Sequence, residues 1–120
     1  MARVLLVGYI PELLQARERT FRSAGYEITA AGALASAEAA VTQEKFDAAV
    51  LGFSIPEDQR NQIAQGLKQG NPAAKILMIY FGNVPQTHLA DALLPTSASA
   101  EDILRAIHHL LKDCKRSHVG

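Results

Sequence analysis

The stretch Asp47-Ala-Ala-Val-Leu-Gly-Phe-Ser-Ile-Pro56 decides how the rest of this chain is read. It opens on a polar residue, runs through Ala48 to Leu51 without a polar interruption, breaks at Gly52 and stops at Pro56. A short apolar run bounded by turn residues has the signature of a parallel strand buried on both faces. In an open α/β sheet, ligands bind in the crevice outside the carboxyl ends of such strands. The residue that arrives there is Gly52, which has no side chain with which to do chemistry.

The same signature recurs on either side. Arg3-Val-Leu-Leu-Val7 ends at Gly8, and Lys75-Ile-Leu-Met-Ile-Tyr-Phe81 is a second continuous apolar run. Tyr26 to Ala30 alternates apolar and polar residues, which predicts an edge strand with one wetter face. Ala92-Leu-Leu94 predicts a brief fifth strand. Helical patterns fill the gaps. Pro11 suits a helix's first turn, Leu13, Leu14, Phe21 and Ala24 form the inner side of that helix, and Gly25 closes it. Ala33 to Gln43 is rich in Ala and Glu, so it predicts a helix that packs close to the sheet. Glu57 to Gln69 is a polar helix pinned by Ile63, Ala64 and Leu67, with Glu57 and Asp58 facing the positive end of its dipole. Asn83 and Pro85 predict about two turns of helix before the fifth strand. Ser99-Ala-Glu-Asp102 has capping-box spacing ahead of Ile103, Leu104, Ile107, Leu110 and Leu111, a stripe at helical spacing.

Strands alternating with helices imply right-handed crossovers and a parallel sheet between two helix layers. The expected fold is α/β: a flavodoxin-like, doubly wound, five-stranded parallel sheet in the order 2-1-3-4-5, with a shortened fourth helix. The domain spans residues 1–113, followed by a polar tail at 114–120.

Composition narrows the function. The 120 residues are 48% hydrophobic, the ordinary globular share. Twelve basic and twelve acidic residues cancel, which argues against a nucleic-acid or membrane-binding surface. Cys114 is the sole cysteine, so no intramolecular disulfide forms and a reducing, cytoplasmic setting is expected. No apolar run is long enough for a membrane span. Phosphate loops, dinucleotide fingerprints and His/Cys metal spacings are missing. His108 and His109 are adjacent on a helix and point about 100° apart, a poor arrangement for sharing a metal. Glu12 and Glu57 read as first-turn helix acids, and Asp47 as a residue shaping the entry to its strand. Ser54, Tyr80 and Thr96 offer hydroxyls near the crevice, but none has an evident base to activate it. No catalytic residue, cofactor or metal site is therefore assigned.

Taken in order, these pieces resemble the receiver domain of two-component response regulators over almost the whole chain. The resemblance rests on Arg3-Val-Leu-Leu-Val7 with Pro11-Glu-Leu-Leu14, then Ala24-Gly-Tyr-Glu-Ile28 and Phe46 to Pro56. The strand Lys75 to Phe81 and Ser99-Ala-Glu-Asp-Ile103 complete it. In that family, acidic residues after the first and third strands hold Mg²⁺, and the third-strand aspartate accepts a phosphoryl group. A Thr or Ser after the fourth strand and a Lys after the fifth read and neutralise the phosphate. The resemblance places Gly8 and Tyr9 at the acidic pair, Gly52 at the phosphoacceptor, Tyr80 at the Thr or Ser, Thr96 at the Lys, and Leu93 at an aromatic switch position. All of the reactive groups are replaced.

The resemblance thus implies a degenerate, phosphorylation-independent, non-enzymatic receiver in bacterial signalling. Its partner would be another signalling protein or an output domain of its own, or a second copy of the chain. Leu89 and Leu93 are the candidate interaction face, and a tyrosine ring is expected to cover Gly52. The alternative is a small-ligand-binding regulatory domain that reuses the crevice at Gly8 and Gly52.

Overall fold

The computed structural model describes Ala2–Val119, with side chains described as far as Lys112. Strands β1 (Arg3–Val7), β2 (Glu27–Ala31), β3 (Ala48–Leu51), β4 (Lys75–Tyr80) and β5 (Ala92–Pro95) form one parallel sheet in the order β2-β1-β3-β4-β5. Helices α1 (Pro11–Ser23), α2 (Leu34–Gln43), α3 (Glu57–Gly70) and α4 (Ala100–Val119) connect or follow the strands. This is the expected flavodoxin-like order. β3 lies at the centre, with Val7 of β1 and Met78 of β4 both in register with Leu51.

The apolar runs lack alternation because both faces of the sheet are covered. Leu5, Val7, Ala49, Leu51, Ile76 and Met78 point to one face, where Ala37 and Ala40 of α2 and Ile63, Ala64 and Leu67 of α3 meet them. Val4, Leu6, Ala48, Val50, Leu77 and Ile79 point to the other, against Phe21 of α1 and Ile103 and Ile107 of α4. Successive side chains of a strand alternate between faces, so each run feeds two separate cores. β2 pairs only with β1 and is the half-wet edge that its alternation predicts.

The local signals also hold. Pro11 opens α1, and Gly25 follows its end with φ of 92°. Ser99 and Asp102 form a reciprocal capping box: the Asp102 N–H donates to Ser99 Oγ at 3.1 Å, and the Ser99 N–H to Asp102 Oδ2 at 3.0 Å. Asp47 works at the strand entry, accepting the Arg3 N–H on Oδ2 at 2.8 Å.

Two expectations are corrected. The segment from Gly82 to Ala90 contains no helix, so the fourth helix is not shortened but absent, and four helices remain. The chain must turn at the top of β4 and descend roughly 16 Å to the start of β5, the rise of about five strand residues. Two helical turns would use about seven residues to cover about 11 Å, leaving too few to turn at both ends. Instead Gly82 turns the chain with φ of 79°, and Asp91 anchors the descent by exchanging backbone and side-chain hydrogen bonds with Ile76. The inner side of α1 also differs: Leu13 is 39% exposed, while Arg17 is buried beside Phe21. The expected polar tail at 114–120 falls on residues whose side chains, and at Gly120 the backbone, lie outside the described residues.

Candidate functional site: the crevice above β1 and β3

Because Val7 and Leu51 are in register, Gly8 and Gly52 leave the sheet side by side. The Gly52 N–H donates to Val7 O at 2.9 Å, and the Gly8 N–H to Ala31 O at 3.2 Å. Both glycines are buried. A Cβ placed on Gly52 would stand 3.6 Å from Gly8 Cα, so the two bare positions adjoin.

Tyr9 ties the loops around them together. Its N–H donates to Ser54 Oγ at 2.9 Å, which holds the loop after β3 against the loop after β1. Its hydroxyl donates to Gln59 Oε1 on α3 at 2.7 Å, and the ring packs over the core beneath α2 and α3. Burial raises the phenol pKa above its usual range, and Glu38 and Asp58 raise it further. Tyr9 is thus a neutral hydrogen-bond donor at physiological pH.

Tyr80 and Thr96 form a second group, at the ends of β4 and β5. The Thr96 N–H donates to Tyr80 O at 3.0 Å, which continues the β4–β5 ladder by one step. Tyr80 is half-buried and Thr96 exposed. The five pocket positions therefore fall into two sets, Gly8, Tyr9 and Gly52 on one side and Tyr80 and Thr96 on the other.

The space beside Gly8 and Gly52 is taken by a residue that the sequence reading missed. Arg17 Nη1 lies 3.2 Å from a Cβ placed on Gly52, nearer than any tyrosine atom, and 3.9 Å from one placed on Gly8. Arg17, not a tyrosine ring, covers Gly52. The signal was present, since Leu14, Arg17 and Phe21 follow the i, i+3, i+7 spacing of one helix face. A cation on that stripe reads as a break in the apolar pattern rather than as a buried group. Arg17 is only 8% exposed and makes no hydrogen bond or ion pair with any described residue. Burial lowers its pKa, yet a guanidinium remains protonated. Leaving such a charge buried and unpaired costs several kcal/mol.

A second buried arginine approaches from the opposite face. Arg60 of α3 donates from Nη1 to Ile79 O at 3.3 Å, while its Nε is buried without a partner. Ile79 follows Met78, the register partner of Leu51, so Arg60 reaches the strand end next to Gly52.

The residues at this crevice do not fit Mg²⁺. That ion needs hard oxygen ligands in octahedral array, and the nearest side-chain group to positions 8 and 52 is a guanidinium. Among the described residues, no group of three His, Cys, Asp or Glu is placed to hold a metal. Glu12 and Glu57 are exposed in the first turns of α1 and α3, and Asp47 is occupied at the opposite end of β3. A surface groove between α1 and α4, lined by Arg19, Tyr26, Arg105 and His108, shares no residue with the crevice.

Leu89 and Leu93 are half-buried and pack against the core under α2 and α3. The large apolar groups that face solvent near β5 are Phe81, 77% exposed, and Val84, 57% exposed. The Phe81 ring leans on Phe53 with centroids 6.2 Å apart.

Comparison with family models finds no match, and neither does comparison with curated proteins. Solved structures do match. A CheY-like response regulator receiver domain protein from Methanospirillum hungatei JF-1 superposes with a TM-score of 0.82 at 18% identity, over 98% of each chain. An adenylate cyclase structure from Rhodopirellula baltica gives 0.83 at 20% identity, over 98% of this chain and 93% of that one. The chemotaxis protein CheY4 of Vibrio cholerae gives 0.78 at 20% identity, over 92% and 98% respectively. No helix among the described residues is long and apolar enough to cross a membrane. With its strand order, its two helix layers and these superpositions, the chain has the CheY-like fold of response-regulator receiver domains.

Proposed function

We propose that this chain is a pseudo-receiver: a regulatory, non-enzymatic module that works in a signalling pathway without being phosphorylated. The observation that carries the reading is the pair of bare glycines at the carboxyl ends of β1 and β3, with the Arg17 guanidinium beside them. Phosphoryl transfer depends on positioning and on neutralising charge around a metal-held phosphate. Here no carboxylate is present at positions 8, 9 or 52 to attack or to hold the metal. Thr96 likewise brings no positive charge to the far side of the crevice.

The module then acts through a protein partner, either another signalling protein or an output domain, with self-association as one form of the same contact. The surface that supports this is the descent from β4 to β5, where Phe81 and Val84 stay in solvent. Leu89 and Leu93 are half-buried against the core on the side of α2 and α3. An exposed apolar patch beside a loop is a common basis for docking.

The reading is tested by incubating the protein with Mg²⁺ and a small phosphodonor such as acetyl phosphate, and measuring intact mass. The mass should not change, and Mg²⁺ at millimolar concentration should leave the amide spectrum of residues 8, 9 and 52 unmoved. Gly52→Asp alone should not restore phosphorylation, because the metal ligands and the lysine are still missing. A stable phosphoryl adduct on the unaltered chain would overturn the proposal. Phe81→Asp should weaken binding to a partner, or self-association measured by sedimentation, while leaving the fold intact.

A second reading, a domain that binds a small ligand in the crevice, is favoured by one observation: the unpartnered Arg17.

A further inference from the structure

We propose that the crevice beside Gly8 and Gly52 is a non-covalent binding site for a phosphate-like oxyanion, held by the Arg17 guanidinium and the Ser54 hydroxyl without a metal ion. The inference rests on the ligand-binding reading of this crevice and gives that reading a chemical class.

Arg17 is more than nine-tenths buried, permanently charged and unpaired among the described residues. Its nitrogens are nonetheless not sealed from solvent, since Arg60 Nε is the one unpartnered side-chain atom that is fully enclosed among the described residues. The proposed anion would approach the guanidinium from that open side. The wall at Gly8 is bare: apart from the flanking residues, Arg17 Nη1 is the only heavy atom within 4 Å of a Cβ placed there, at 3.9 Å. The planar fork of a guanidinium matches an oxyanion with two parallel hydrogen bonds. Ser54 stands one residue beyond Gly8, because its Oγ accepts the Tyr9 N–H at 2.9 Å, and its own hydrogen is given to no described residue. That hydrogen is available to a ligand oxygen. Arg60, at the neighbouring strand end, adds a second positive charge to the local field. Gly8 and Gly52 bring no carboxylate into the crevice, although Glu38 and Asp58 act on Tyr9 at its rim and reduce this field.

The test is a titration of the intact chain with inorganic phosphate at fixed pH and ionic strength, balanced with chloride. Amide shifts of Gly8, Tyr9, Gly52 and Ser54 and the Arg17 side-chain Nε–H signal are followed. Saturable shifts confined to these groups are expected, with sulfate competing and acetate binding more weakly. Arg17→Met, which keeps the apolar stem, should weaken phosphate at least tenfold, and Ser54→Ala several-fold. Gly52→Asp places a carboxylate beside Arg17 and should abolish the response by supplying the anion within the chain. Shifts that rise linearly without saturation, or an unchanged affinity in Arg17→Met, overturn the proposal. Should Arg17→Met not fold, Arg17→Lys keeps the charge without the fork and should still bind at least several-fold more weakly; equal affinity overturns the proposal. A phosphate monoester such as glycerol phosphate, titrated in parallel, separates the two sources of the ligand: binding at least as tight as phosphate assigns a terminal phosphoryl group, and exclusion assigns free phosphate. Intact mass keeps the two proposals apart. A covalent adduct breaks the phosphorylation-independent reading and leaves the anion site standing, whereas absent phosphate binding breaks the anion site alone.

Discussion

Arg3 and Arg17 sit at opposite ends of the same sheet and are treated in opposite ways. At the amino ends of the strands, Arg3 lies between Glu27 and Glu44, with N–O separations of 3.1 and 3.5 Å, and Asp47 accepts its backbone N–H. At the carboxyl ends, Arg17 pairs with no acid among the described residues although it is far more deeply buried. A charge half in water gains little from partners, and a charge out of water needs them. The protein spends its carboxylates where they matter least for stability. On the proposed reading, the deeper cation is kept for an anion that is not part of the chain.

The sharpest way to break this comparison is to replace each arginine by methionine, which keeps the apolar stem. In phosphate-free buffer, Arg17→Met should stabilise the fold by about 1–3 kcal/mol, because an unpaired buried charge gives way to packing. Arg3→Met should instead destabilise it by less than about 1 kcal/mol. Urea denaturation of both variants checks the opposite signs. A loss of stability in Arg17→Met of the size seen for a core truncation would mean that Arg17 is structurally paired after all.

Two tyrosines give a second pair. Tyr9 at the carboxyl end hydrogen-bonds Gln59 on α3, whereas Tyr26 at the amino end packs tilted against Phe21 and meets His108 at 3.3 Å. Tyr9→Ala should cost about 1–3 kcal/mol, toward the low end of aromatic truncations because the ring lies at the rim. Tyr9→Phe should cost about 1 kcal/mol, the worth of one hydrogen bond. Tyr26→Phe should cost less, since its hydroxyl partner is exposed. Thermal melts of the three variants rank them.

Ser99→Ala removes the cap of α4 and should cost about 1 kcal/mol by chemical denaturation. The capping box also carries a small pH dependence. Hydrogen bonds from Ser99 hold the Asp102 carboxyl below its usual pKa, with Arg105 adding to the effect. A carboxyl whose folded pKa is depressed contributes stability above its unfolded pKa, near about 3.9, and loses it as pH falls through the lower folded value. Comparing melts of the wild type and Asp102→Asn from neutral pH down to the acid limb should show their difference shrinking only below about pH 4. A difference that already shrinks near neutral pH would place the titration elsewhere. Arg3→Met should also be the variant whose effect fades fastest with added salt, since exposed ion pairs are screened.

Phe81 and Leu93 extend the same logic to the partner surface. Phe81→Asp should disturb association and spare the fold, because its ring is mostly in water. Leu93→Asp should do the reverse, because that side chain packs against the core. Sedimentation and circular dichroism on the two variants separate the effects.

The sequence by itself determined the order of elements. Unalternating runs such as Val4 to Val7 and Ile76 to Ile79 are possible only where both faces of a strand are covered, so they announce a parallel sheet between helix layers. It also determined that Gly8 and Gly52 stand where ligands bind, because a glycine after a buried strand can be read from one dimension. Three things were decided only in three dimensions. The descent from Gly82 to Ala90 has helix-starting residues, but the distance between strand ends overrides that local preference. Leu89 and Leu93 are apolar in any reading, and only the tertiary structure shows that each is half-buried against the core on the side of α2 and α3. Arg17 is the clearest case. Its place on the inner stripe of α1 is visible as a spacing, but whether a long cationic side chain snorkels to water or turns inward depends on what stands at its tip. That tip is set by two glycines on different strands, brought together by the register of Val7 with Leu51.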